Sequence, residues 1–251
     1  MKEALARRKA ADAQPDRKVS LVDRVVDDLG TAIVQGRYPE ETHLPVEATI
    51  SAELGVSRNV LREAIKLLSA KGLVRTDRGS GMTVLPRKEW NYLDPDLLGW
   101  SLSQPALNED LVDELNTLRE LVEPQVAAMA ARVGTTIEIL RLFEAYEMME
   151  KAPNKLAGVE ADILFHRRMF EACHNKMLLS LMQTVAVVLR SNFSLAIEVD
   201  LAATQYPDDH LLVAEAIQRR DADAARAVMT TLLEKNRNNL AKMREMLRQK
   251  T

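Results

Sequence analysis

The sequence predicts a mainly α protein in two parts: a small amino-terminal module in the order of a winged helix-turn-helix, then a larger all-helical antiparallel bundle. Three observations predict it. Within residues 20–85, short helical patterns joined by a Gly-containing turn precede a glycine-tipped hairpin. From Glu109 onward the apolar residues keep the helical period. Ala, Leu, Glu and Arg are abundant while aromatics make up only 4% of the chain, which favours helix over sheet.

Residues 1–18 show no apolar period and read as a mobile tail, so the first domain is expected over 19–86. Ser20 caps a helix with the stripe Val22, Val25, Val26, Leu29 and Ile33, and Gly36 stops it. Pro45 stands where a first helical residue belongs, opening a short helix with Val46, Ile50 and Leu54 on one side. After a tight turn at Gly55-Val56, Ser57 caps a third helix with Leu61, Ala64, Ile65 and Leu68 inward, ended by Gly72. Residues 73–76 and 82–85 read as two strands around a glycine-rich tip at 77–81. The segment 87–108 holds Pro95, Pro105, Trp90, Tyr92 and Trp100, and reads as a linker that packs against something. A domain over 109–251 then opens with a helix carrying Leu111, Leu115, Leu118, Val122, Val126 and Met129, with a kink expected at Pro124. Further helices are expected at 136–151, 155–173, 177–199 and 208–219, and a last one from the cap Asp221 to the end.

The length of 251 residues suits two modest domains, and a chain 47% hydrophobic and 28% charged reads as an ordinary soluble protein. No apolar run approaches membrane-spanning length, and the charged start is unlike a signal peptide. A single cysteine, Cys173, excludes an internal disulfide and fits a reducing cytoplasm. The net charge of −3 hides an asymmetry: residues 1–88 hold 16 Lys/Arg against 12 Asp/Glu, and residues 58–88 hold eight against two. A basic stretch in an acidic chain suggests a polyanion contact confined to one module.

The third helix divides its labour as a recognition helix would. Ser57, Arg58, Asn59, Arg62 and Lys66 fall opposite its apolar stripe. Arg can bond two acceptors on guanine in the major groove and Asn two groups on adenine, while Ser57 and the helix amino end can hold a phosphate. In the hairpin, Gly79 and Gly81 permit close backbone approach, and Arg75 and Arg78 supply charge. Taken singly, each piece is equally an amphipathic helix with a solvated face or an ordinary hairpin. The ordered combination favours binding to double-stranded DNA.

These residues resemble the GntR family of bacterial regulators. The resemblance is carried by Leu44-Pro45-Val46-Glu47, Gly55-Val56-Ser57-Arg58, Leu61-Arg62-Glu63-Ala64, Gly72-Leu73 and the wing Gly79, Gly81 and Val84. It implies that Arg58 and Arg62 contact operator DNA and that Gly79 belongs to a wing tip in the minor groove. Ala48 stands where some relatives place a DNA-contacting Arg.

The second half resembles the all-helical effector domain of the FadR-type branch, called FCD. Its carriers are Arg119-Glu120-Leu121-Val122-Glu123-Pro124, Asp162 to His166, His174-Asn175, and Asp209-His210 before Ala216-Ile217. The resemblance implies a homodimer whose helical domain binds a small carboxylate effector, in many members beside a divalent metal held by one Asp and three His. Here the ligand set would be Asp162, His166 and His210, with Leu232 at the third His position. Oxygen and imidazole donors suit Zn, Ni or Mn, and Arg119 would fork onto the effector carboxylate. The residues alone also allow plainer readings. Asp162 and His166 make an i,i+4 surface pair, Arg119 pairs with Glu123 one turn on, and His174 shapes a turn. The segment from Trp90 to Trp100 resembles FCD regulators of sugar-acid catabolism, which makes a hexonate-like acid the first effector expected and repression the expected mode. The rival is a metal-dependent enzyme built on Asp162, His166 and His210, but the sequence offers no general base, nucleophile arrangement or glycine-rich substrate loop to accompany them.

Overall fold

In the computed structural model, which describes residues 20–77, 81–103, 108–198 and 207–250, the chain divides between Asn91 and Tyr92 into two units. The first unit starts with α1 (Leu21–Val34) on a reciprocal cap. Ser20 Oγ accepts the Asp23 N–H at 3.0 Å while an Asp23 carboxylate oxygen accepts the Ser20 N–H at 3.2 Å. Val25, Val26, Leu29 and Ile33 are buried, as the helical period requires. Helix α2 spans Glu47–Leu54, two residues later than Pro45 suggested. Val46 stays extended and caps it through its carbonyl, which accepts from Thr49 and Ile50, and its side chain is left 69% exposed. Ile50 is therefore the apolar residue that α2 buries.

Gly55 in the left-handed region (φ 64°) turns the chain into α3 (Arg58–Ala70). Leu61, Ala64, Ile65 and Leu68 face inward, and burial of each Leu or Ile contributes about 1.5–3 kcal/mol. The strands β1 (Val74–Asp77) and β2 (Gly81–Val84) pair antiparallel, with Val74 opposite Val84 and Arg75 opposite Thr83. Residues 42–44 add to the free edge of β2: Leu44 N–H donates to Met82 O and Val84 N–H to Thr42 O. Gly72, at φ +77°, has room for no side chain, because an added Cβ would lie 2.6 Å from the Glu89 carbonyl oxygen. A short 3-10 turn at Arg87–Glu89 follows, and Trp90 Nε1 donates to Leu85 O, so residues 86–91 are tied to this unit. The expected wing residues Arg78 and Gly79 lie outside the described residues.

The second unit begins with a helix inside the segment read as linker. Asp94 caps α4 (Pro95–Ser101) by accepting the N–H groups of Asp96 and Leu97. Leu98 and Leu102 are buried with Val112, Val188, Leu240 and Met243. Helix α5 (Glu109–Val133) continues through Pro124. After it come α6 (Thr136–Glu150), α7 (Lys155–Ala172), α8 (Lys176–Ser180), α9 (Met182–Glu198), α10 (Pro207–Gln218) and α11 (Ala222–Lys250). The single helix expected over 177–199 is two. At Leu181 the N–H bonds back only three residues, to Leu178 O, which closes α8 before Leu181 O accepts the Val185 N–H in α9. Helices α5, α6, α7, α10 and α11 enclose the main core around Phe165, Met169, Phe170 and Leu142. No helix among the described residues is long and apolar enough to cross a membrane.

Candidate functional site

On the first unit, Ser57, Arg58, Asn59, Arg62 and Lys66 are all exposed, on the face of α3 opposite its buried stripe. Ser57 Oγ also accepts the Val60 N–H at 3.4 Å, so one hydroxyl both caps the helix and stands at its positive end. Arg62 Nε donates to Glu47 Oε2 at 2.9 Å and Lys66 Nζ to Glu63 Oε1 at 2.7 Å. Exposed pairs of this kind are worth about 1 kcal/mol or less, so phosphate or a base edge can displace them. Glu47 stands out in the sequence only as part of the family motif; its place at the start of α2 puts its carboxylate beside the Arg62 guanidinium. Arg75 is exposed on β1.

In the second unit, three helices bring buried charges together. The i,i+4 spacing sets Asp162 and His166 on one face of α7, and α5 does the same for Arg119 and Glu123. Helix α10 supplies His210. Asp162 Oδ1 lies 3.3 Å from His166 Nε2 and 3.0 Å from His210 Nε2. His166 Nδ1 lies 2.7 Å from Glu123 Oε2, and Arg119 Nε donates to Glu123 Oε1 at 2.6 Å. Arg119, Glu123 and His166 have at most 1% of their side-chain surface exposed. The Phe165 ring stands edge-on to both imidazoles, at 5.0 Å from His210 and 6.0 Å from His166.

The electrostatics follow from this packing. Burial would raise the Glu123 carboxyl, but Arg119 and His166 bring it down to about 2. Burial would likewise raise Asp162, yet the two imidazoles hold it well below the usual carboxylate range. Burial disfavours a charged His166, and the carboxylates of Glu123 and Asp162 overcome this, raising it to about 9.

The donor set fits a divalent ion. One ligand atom from each of Asp162, His166 and His210 lies within 4.8 Å of the others. Ligands about 2.0–2.2 Å from one centre sit roughly 3–3.5 Å from each other, as the Asp162 distances do. Asp162 Oδ1 is within 3.3 Å of both Nε2 atoms, so the three ligand atoms can share one centre. Leu232 is buried in the core and supplies no fourth donor.

Arg119 and Asp162 line one cavity together with Asn192, Phe193, Asn236 and Met243, while His166 and His210 are not on its lining. Arg119 Nη1 and Nη2 are buried with no hydrogen-bond partner among the described residues, as is Asn192 Oδ1, whose own amide reaches Asn116 at 3.3 Å. The expected pairing of Arg119 with Glu123 and its expected fork are thus compatible, since Nε serves the first and the two Nη groups remain. Asn236 was missed by sequence reasoning, although it lies one helical turn beyond Leu232 and so on the same face of α11. His174 does not join the cluster. It sits in a left-handed turn (φ 53°) with Nε2 at 2.9 Å from Glu138 Oε2.

Two family models match the chain: bacterial regulatory proteins, gntR family, over residues 21–84, and the FCD domain over residues 114–235. Among curated proteins, the galactonate operon transcriptional repressor of Escherichia coli is 34% identical over 213 residues, covering 84% of this chain and 93% of that protein. The Uxu operon transcriptional regulator of Escherichia coli is 30% identical, with 83% and 82% covered. Among solved structures, Lar of Listeria monocytogenes, described as controlling expression of that organism's agr system, aligns with a TM-score of 0.60 at 17% identity. It covers 89% of this chain and 97% of that one, and the likeness shows a shared fold. None of these relatives is an enzyme, and the enzyme reading of the Asp/His/His set is without support.

Proposed function

The chain belongs to the gntR family of bacterial regulatory proteins, in the branch with an FCD domain, and from that premise we propose how this transcription regulator is switched. It binds DNA through its amino-terminal module and a small molecule through its FCD domain. In our reading it is a homodimeric repressor of a catabolic operon. Two heads, each within 19–86, hold half-sites of an operator through Ser57, Arg58, Asn59, Arg62 and Lys66, with Arg75, Arg78 and Gly79 in the wing. The segment 87–108, whose α4 packs within the second unit, connects each head to a sensing domain over 109–251. A small carboxylate, with a hexonate-like sugar acid first among the choices, enters the cavity lined by Arg119 and Asp162 and favours release of DNA.

The observation that carries this reading is the buried guanidinium of Arg119, with both Nη groups unpartnered among the described residues, facing the same cavity as Asp162. Glu123 already pairs this cation through Nε, but a buried donor left unmade costs about 1–3 kcal/mol, which an anion on the two Nη groups offsets. Asn192 and Asn236 add neutral polar groups to the lining, suited to hydroxyls of a polyhydroxy acid. Asp162, His166 and His210 would hold Zn, Ni or Mn, with water or the effector completing the shell. Such an ion, when bound, supplies a positive partner for an effector carboxylate or hydroxyl. Residues Asp162 and Arg119 then orient the acid, and Phe193 and Met243 exclude water from its carbon chain. The relative named for a galactonate operon supports the choice of a hexonate.

A thermal-shift screen of sugar acids, run with and without divalent metals, tests this reading, because a ligand that binds only the native state raises Tm by mass action. The expected result is a rise with a sugar acid in wild type that Arg119→Ala removes. A rise that survives Arg119→Ala and Asp162→Ala would move the effector elsewhere.

A further inference from the structure

Glu123 belongs to no ligand set, yet it is the fully buried carboxylate at the centre of the sensing cluster. Its two oxygens are divided between two helices' worth of partners: Oε1 accepts from Arg119 Nε at 2.6 Å, and Oε2 lies 2.7 Å from His166 Nδ1. We propose that Glu123 is the positioning residue of the site, presenting His166 to a divalent cation through Nε2 and Arg119 to a carboxylate through its two Nη groups. This rests on the reading of Asp162, His166 and His210 as ion ligands.

Imidazole has two nitrogens, and an ion takes the one whose neighbour already holds its proton against an acceptor. Glu123 Oε2, 2.7 Å from Nδ1, is the oxygen placed to be that acceptor, which leaves Nε2, the nitrogen facing Asp162 and His210, to ligate. On the other side, accepting from Arg119 Nε closes the side-on edge of the guanidinium. What remains is the end-on pair Nη1 and Nη2, which matches the two oxygens of a carboxylate. Only an ionised carboxylate serves both neighbours, since each of them donates. A Gln at this position offers one acceptor oxygen and turns an NH2 group toward the other donor. The spacing that makes this work is local: Arg119 and Glu123 are one turn apart on α5, and α7 packs against that face with His166.

The test titrates the full chain with Zn2+ alone by calorimetry, in wild type, Glu123→Gln and Asp162→Ala, and records 15N spectra with labelled His and Arg. The expected result is that Glu123→Gln weakens Zn2+ binding by about 10–100-fold, while Asp162→Ala abolishes it. In Zn2+-loaded wild type, His166 should ligate through Nε2 with Nδ1 protonated, and the Arg119 Nε–H signal should shift in Glu123→Gln. The wild-type spectrum tests the inference even if the variant folds poorly. Zn2+ affinity of Glu123→Gln within twofold of wild type, or ligation through Nδ1, overturns the inference and leaves the ion site standing. If wild type binds no Zn2+ at all, the ion reading falls and the inference falls with it.

Discussion

Arg58 and Arg62 are exposed side chains on one face of α3, so their removal should act on DNA binding and not on the fold. Replacing either by Ala is expected to weaken operator binding by about 1–3 kcal/mol if it reads a base. The loss should be larger for Arg62, because Glu47 then faces the DNA phosphates without its partner. Fluorescence anisotropy on operator DNA, with circular dichroism as the fold control, measures both. Equal affinity for both variants and wild type would mean that another face of the module meets DNA. At this scale the sequence discloses the pairs that lie one helical turn apart. Asp162 and His166 are legible from spacing, whereas His210 is 44 positions farther on and is connected to them by family resemblance alone. The role of Glu123 is illegible, since a carboxylate one turn after an arginine looks the same on a solvated helix as in a buried one. Only the approach of α7 decides between them.

Elements are held by a few local devices that can be tested one at a time. Gly72 closes α3 at φ +77° with the Glu89 carbonyl against it. Gly72→Ala should cost about 2 kcal/mol or more, from the left-handed conformation and from displaced backbone, read as a lower denaturant midpoint at unchanged slope. The start of α6 offers a pH test. Glu138 caps it through Thr135 and meets His174, and although burial pushes its carboxyl up, these partners lower it overall from the ordinary 4.5. A depressed carboxyl adds stability that is full above its unfolded value and is lost as pH falls through the folded one. The Tm difference between wild type and Glu138→Gln should therefore be greatest near neutrality and close as pH drops below about 4.5. A difference that stays constant with pH would assign the effect to packing. The sequence is informative about α1 and α3 because their caps and apolar periods agree. It hides the break at Leu181, since Leu178, Met182 and Val185 continue the apolar period across it and the break shows only in the backbone.

The whole molecule joins a unit with an exposed basic helix face to a unit whose core holds a buried charge cluster. Each has its own packed apolar residues, Leu61 and Leu68 in the first and Phe165 and Met169 in the second, so both folds were legible as separate patterns. In the proposed switch the effector prefers the DNA-released form. Moving a population from 1:99 to 99:1 needs about 5.5 kcal/mol of differential binding, to which a carboxylate on the two Nη groups of Arg119 contributes to the extent that the contact differs between the two forms. We propose that Arg119 and Asp162 serve this switch and not DNA binding itself. The most direct measurement is anisotropy of the full chain on DNA from upstream of its own gene, titrated with sugar acids, in wild type, Arg119→Ala and Asp162→Ala. Equal DNA affinity in all three, with release by a sugar acid in wild type alone, is the predicted result; release from both variants at the wild-type concentration would contradict it.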